Sequence, residues 1–130
     1  MIKVYSASYA DVEKKWALYI GSIFTVVNCC AKKPGIGSYA LKIKYPIVPD
    51  KALYAKFKKG KIDYTEFRRE YEEYLSSAVN PQSLYDELHR LAYENGTDTV
   101  ILLDDEEDEE MSVRVIVGSY LGKAYCGELQ

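Results

Sequence analysis

The hydrophobic and polar positions of this chain fall into blocks whose period changes along the sequence. Residues 2–6 read as a first strand. Ser8-Tyr9-Ala10-Asp11 then predicts the opening of a short helix through Trp16, with Val12, Trp16 and Tyr19/Ile20 on one face. Residues 23–27, Ile-Phe-Thr-Val-Val, form a continuous β-branched and aromatic run, suited to a strand covered on both faces. A long connection follows over residues 28–49, with three prolines and two closely spaced glycines.

The helices carry clearer signals. Asp50 is placed to cap a short helix that stops at Gly60. Ile62-Asp63-Tyr64-Thr65-Glu66-Phe67 puts Asp63 at an N-cap and Glu66 at the third helical position, a capping box, with Ile62 and Phe67 spaced as its hydrophobic staple. The apolar face runs on through Tyr64, Phe67, Tyr71, Tyr74, Leu75 and Ala78. These tyrosines fit a core-facing stripe better than a base-stacking platform, which needs exposed rings beside cations. The pattern repeats with Asn80 as cap and Pro81 at the first helical position, Leu84, Leu88, Leu91 and Ala92 as the stripe, and Asn95-Gly96 as the stop. His89, the only histidine, lies off that stripe as an exposed or boundary residue.

Residues 99–103 predict another fully apolar strand, and residues 104–110 are seven consecutive carboxylates. Residues 112–117 are β-branched and fit an edge strand, while Met111, Val115, Ser119 and Leu121 also fit a helix; propensity favours the strand. Covered strands joined through helices predict an α/β fold. The expectation is a single small domain over residues 1–130, with a mainly parallel sheet flanked by helices.

Composition is that of an ordinary globular domain, 130 residues with 48% hydrophobic and 28% charged positions. No apolar run reaches the ~20 residues of a membrane helix. The first five residues resemble a strand, not a secretion signal, so a cytoplasmic location is expected. Asn95-Gly96-Thr97 matches a glycosylation acceptor, read here as a helix stop and turn. Three cysteines, two of them adjacent at Cys29 and Cys30, argue against a disulfide framework, and none has zinc-ligand spacing. No metal or other cofactor is expected. Few Asn and Gln beside many Lys and Glu lean towards a thermophilic source.

Charge changes the picture more. Residues 1–62 hold twelve lysines, no arginine and three acids, a net of +9, whereas residues 63–130 hold four arginines, one lysine and seventeen acids, a net of −12. The total of −3 hides a basic half and an acidic half. Two readings stand: the halves interleave and neutralise one another, or they segregate and let copies of the chain attract.

The stretch Lys59-Gly60-Lys61-Ile62-Asp63-Tyr64-Thr65-Glu66-Phe67-Arg68-Arg69-Glu70-Tyr71 resembles the signature of the domain-of-unknown-function 488 family, a basic-Gly-x-Ile-x-aromatic stretch entering a helix of the form aromatic-x-x-aromatic-x-x-x-Tyr. The loop over residues 26–38 resembles that family's second strand and following loop, and Val100-Ile101-Leu102-Leu103, the acidic stretch and a terminal element keep the family's order. The resemblance implies that the terminal element is a helix, against propensity. Members of the family often carry Cys-His-Arg at the start of that helix. Here the matching residues are Ser112-Val113-Arg114, so only the arginine is kept, and Asn28-Cys29-Cys30 stands where the family often has an arginine. The resemblance thus gives no support to thiol or imidazole chemistry.

The candidate anion-binding residues are Lys32, Lys33, Gly35, Gly37, Ser38 and Arg114. Glycines let backbone N–H groups approach an anion, two lysines add charge, and the loop follows a strand. The stretch is neither a P-loop nor a dinucleotide fingerprint, and an ordinary surface loop is the competing reading. Arg114 either holds a phosphate bidentately or pairs with a neighbouring carboxylate. Cys29 and Cys30 are either a reactive pair near Lys32 and Lys33 or small buried hydrophobes. The acidic run either binds Mg²⁺ or Ca²⁺ or is a solvated, self-repelling loop. Ser112 lacks an evident base. Three functions follow in order: a non-enzymatic binding or assembly protein with itself as partner; a domain binding nucleotide or nucleic-acid phosphate through the loop, Arg114 and Lys56, Lys58, Lys59 and Lys61; and an inert relative of an enzyme. None involves a membrane.

Overall fold

The structure, a computed structural model, describes residues 1–27 and 40–128. Four strands, β1 (Lys3–Ser8), β2 (Ile23–Val26), β3 (Thr99–Asp104) and β4 (Tyr125–Glu128), form one all-parallel sheet in the order β2-β3-β1-β4. The expected α/β domain with a parallel sheet and flanking helices is what the chain adopts. The central pair is in unbroken register from Lys3↔Thr99 to Ser8↔Asp104. Ile23–Val26, read from its continuous apolar run as a strand covered on both faces, is covered on both, with Ile23 in one core and Phe24 in the other, and lies at the edge of the sheet. Its outer side is partly closed where the Phe24 carbonyl accepts from the Leu41 amide at 2.7 Å.

Residues alternate between two unequal cores because strand side chains alternate faces. On one face Val4, Ile23, Val100 and Leu102 pack beneath helices α3 (Lys51–Lys58), α4 (Tyr64–Ala78), α5 (Pro81–Glu94) and α6 (Val113–Leu121). On the other, Ala7, Phe24, Ile101 and Leu103 meet Tyr9, Val12 and Tyr19 from the short helices α1 (Tyr9–Lys14) and α2 (Trp16–Tyr19). The break at Lys15 between these two helices shifts their phase. Tyr19 is buried as a result, while Trp16 and Ile20, expected on the same inward face as Val12, are exposed.

The N-caps form where the spacing predicts, although the Glu66 side chain of the expected capping box turns to Arg69 and not back to the Asp63 amide. Asp50 accepts from the Ala52 and Leu53 amides, Asp63 from Glu66 and Asn80 from Gln82 and Ser83. Gly60 and Gly96 end their helices with φ of 76° and 70°, the left-handed region that favours glycine. The tyrosines of α4 face the core, Tyr71 fully buried and Tyr64 and Tyr74 partly so. Phe57, Phe67 and Tyr71 stack in series, with centroids 4.8 and 5.8 Å apart. Tyr71 donates to the Ile47 carbonyl, Tyr74 to Pro46 and Tyr120 to Leu75 and Val79.

The helical spacing of Leu84, Leu88 and Leu91 also buries an acid. Glu87 accepts from the Lys44 amide at 3.1 Å and pairs with Arg90 at 2.9 Å, fastening the segment before α3 to α5. Burial pushes its carboxyl up, but the Lys44 amide and Arg90 outweigh this and hold it below the usual glutamate value. A depressed folded value stabilises the protein above the unfolded glutamate pKa of about 4.3 and is lost as pH falls through the folded value. Accordingly, the stability gap between the parent and Glu87→Gln should be widest near neutrality and close in acid, as followed by urea unfolding across pH. A gap that does not change with pH would remove the carboxylate from this role.

Candidate functional site

At the carboxyl edge of the sheet the apolar core gives way to a buried polar cluster. β3 ends at Asp104, which is fully buried. Its Oδ2 accepts from the Val113 and Arg114 amides, both at 3.0 Å, and its Oδ1 accepts from the Glu106 amide at 3.1 Å. The first turn of α6 thus finds its anion in the strand beside it. Ser112 is the N-cap, accepting from the Val115 amide while its Oγ donates to the Glu109 carbonyl. With these ends satisfied and Val113, Ile116, Val117 and Leu121 buried at helical spacing, the β-branched run is a helix. The strand favoured by propensity is overridden by tertiary packing.

Arg114, with 1% of its side chain exposed, lies between two carboxylates. Nη1 donates to Asp104 Oδ1 at 2.5 Å and to the Glu106 carbonyl. The opposite edge of the guanidinium faces Glu128 at the end of β4, with Nη2 at 2.8 Å and Nε at 3.1 Å from Oε1. Ser6 of β1 donates its hydroxyl to Glu128 Oε2 and shares a 2.6 Å hydrogen bond with the Tyr125 hydroxyl. Burial works against the arginine's charge, and Glu128 and Asp104 overcome it, holding Arg114 above the usual arginine value.

β4 reaches this site through one close approach. A Cβ on Gly118 of α6 would lie 2.5 Å from Cδ1 and 2.6 Å from Cζ of the Tyr125 ring, so only glycine lets the ring rest on the helix. Alanine is the better helix former by about 1 kcal/mol, but overpacking costs about 1–3 kcal/mol. Gly118→Ala should therefore lower stability in urea unfolding. A more stable variant would show that Tyr125 yields freely.

Of the candidate residues, the structure places Arg114 among carboxylates, with its guanidinium fully engaged. Lys32, Lys33, Gly35, Gly37 and Ser38 lie outside the described residues, as do Cys29 and Cys30. Lys56, Lys58, Lys59 and Lys61 are exposed at the end of α3 and the following turn. Lys58 pairs with Glu106 of the acidic run at 3.1 Å, so the basic and acidic halves meet within one chain there. The acidic run is not uniformly solvated, as its first member is the buried Asp104 and Glu106 is half-buried. Among the described residues, no group of three or more His, Cys, Asp or Glu side chains is arranged to hold a metal ion, and no helix is long and apolar enough to cross a membrane. His89 stacks on Tyr85 along α5.

A family model described as "Domain of unknown function DUF488" matches residues 31–121, from after β2 to the end of α6. The chain belongs to this family. No curated protein and no solved structure matches it. The DUF488 match includes Asp104, Ser112 and Arg114, whereas Ser6 and Glu128, which complete the cluster, come from strands outside the matched span.

Sequence reasoning missed Asp104, Ser6 and Glu128. For Asp104 a signal exists: it directly follows a fully apolar strand, and so stands at the edge where a parallel sheet meets its helix N-termini. Glu128 also has a faint one, as the single acid after residue 110.

Proposed function

We propose that this DUF488 protein is a non-enzymatic binding protein that acts through recognition at the carboxyl edge of its sheet. One observation carries the reading: Ser112 and Arg114, at the place of the family's Cys-His-Arg, are both engaged in bonds that build the fold. Nucleophilic catalysis needs a hydroxyl or thiol with a base in hydrogen-bond reach. The Ser112 hydroxyl instead donates to a backbone carbonyl. What remains at this edge is a buried guanidinium directed at carboxylates, which is a geometry for recognition. Loss of the cysteine and histidine also suits descent from an enzyme whose chemistry has lapsed.

The test is turnover of p-nitrophenyl acetate and p-nitrophenyl phosphate by the parent and by Ser112→Ala. Neither protein should exceed the uncatalysed rate. Turnover by the parent that Ser112→Ala abolishes would overturn the proposal.

Self-assembly through opposite charges is a second reading, favoured by the exposure of Glu107, Asp108, Glu109 and Glu110 beside lysine-rich surface elsewhere. The Lys58–Glu106 pair satisfies part of that charge internally. On this reading, replacing Asp105, Glu106, Glu107 and Asp108 by Asn and Gln shifts sedimentation towards monomer at low salt, where screening is weakest. Sedimentation unchanged at low and high salt ends it. Binding of nucleotide or nucleic-acid phosphate by residues 32–38 and the α3 lysines predicts an affinity that falls steeply with salt.

A further inference from the structure

We propose that the place now held by the Glu128 carboxylate is a binding site for the carboxylate of a small organic acid, with Glu128 as its built-in occupant. This rests on reading the sheet edge as a recognition site, and adds the class of ligand and the group that must leave.

The donors define the chemistry. Nε and Nη2 of Arg114 lie on one edge of a planar fork, and both reach Glu128 while Ser6 Oγ donates from the other side. A guanidinium edge matches a carboxylate in shape, with two parallel N–H donors for two oxygens. Charge narrows the class further. Nη1 of Arg114 already faces Asp104, whose carboxylate is also met by the first amides of α6. Asp104 already offsets the charge of the guanidinium, helped by the α6 amides, so the remaining edge accommodates at most one further negative charge. A dianion there would stand uncompensated next to Asp104.

The occupant is lightly held compared with its seat. Asp104 ends the central strand β3 and is fully buried. Glu128 ends a four-residue edge strand that pairs with β1 only at Val4↔Tyr125 and Ser6↔Glu128, with the register shifting between them. Gly127 in that break has φ of 86°, a conformation other residues rarely adopt. Glu128 keeps 12% of its side chain in contact with solvent, against 1% for Arg114. Emptying the seat would strand a buried guanidinium with only one of its two carboxylates. The exchange is therefore anion for anion, at the strand ends where ligands of parallel sheets gather.

Chemical rescue tests this. Thermal melting of the parent and of Glu128→Ala is followed across a titration of acetate at constant ionic strength, with chloride and inorganic phosphate as comparison arms. Acetate should raise the melting temperature of Glu128→Ala in proportion to ln(1 + c/Kd), with c the acetate concentration, and by about 3–6 °C when c is ten times Kd. The parent should barely respond, because its tethered carboxylate competes at a high effective concentration. Adding Ser6→Ala to Glu128→Ala should weaken the acetate response. If Glu128→Ala does not fold, Glu128→Gln keeps the volume without the charge. The dissociation constant for acetate fitted from its shift must then lie about tenfold below the parent's, the value of one charge-assisted hydrogen bond. Equal responses in parent and variants overturn the site, and phosphate acting more strongly than acetate overturns the class of ligand. Rescue by acetate together with Ser112-dependent turnover would keep the seat and overturn the non-enzymatic reading, so the two fail separately.

Discussion

Asp104→Ala should destabilise the protein by about 3–5 kcal/mol, the loss expected when one partner of a buried ion pair is removed. Three consequences coincide at that side chain. Arg114 loses the carboxylate on its Nη1 edge and keeps only Glu128. The Val113 and Arg114 amides lose their acceptor at the buried start of α6. The Glu106 amide, which orders the beginning of the acidic run, loses its acceptor too. Asp104→Asn should cost less, since it keeps an oxygen for some of these donors while giving up the charge. Urea unfolding measures both, and a loss below about 1 kcal/mol for the alanine variant would show that the edge is held by other contacts.

Tyr71→Ala is the second large effect, at about 3–5 kcal/mol, the range for removing a fully buried aromatic ring. Its ring continues the Phe57–Phe67 stack, and its hydroxyl bonds the Ile47 carbonyl in the segment preceding α3. Tyr71→Phe separates the two contributions. It keeps the ring and removes one hydrogen bond, so a loss of about 1 kcal/mol is expected. Equal losses for the two variants would mean that the hydroxyl, and not the ring, holds α4 to that segment.

The parts of this architecture that were legible are those whose signal is local. Asp63 before an apolar helical stripe and Asn80-Pro81 before another are caps that bond within three residues, so sequence alone locates them. The start of α6 is different. Val113, Val115, Ile116 and Val117 favour a strand by propensity, and the helix is fixed by Asp104 nine and ten residues upstream. The family resemblance carried that information, whereas local pattern did not. Asp104 itself was hidden by its neighbours, because a run of seven carboxylates looks solvated although the strand before it decides where the first one lies. β4 was missed altogether. Tyr-Cys-Gly-Glu has no alternation, and its partner strand is more than a hundred residues away, as the Ser6–Tyr125 hydrogen bond shows with a separation of 119. The candidate site therefore divides in the same way: Arg114 was singled out from its motif position, whereas the two carboxylates that define its role belong to non-local pairing.

Strand order also sets a timetable for the newborn chain. Of the four described strands β1 is made first, yet both of its neighbours, β3 and β4, are made after the other two. At about 5–20 residues per second, translation leaves roughly 5–18 seconds between the completion of β1 and the appearance of Thr99. Throughout that interval neither strand β1 pairs with has been synthesised, and β2 must also wait for β3. The helices from α3 to α5 can form as they emerge, because their bonds are local, but the sheet cannot close until residues through Glu128 have been made. Such distant pairing slows folding generally. A ribosome-bound chain halted before Thr99 should therefore expose Val4, Phe24 and their neighbours to protease and to chaperones, and acquire protection abruptly once residues through 128 have cleared the exit tunnel.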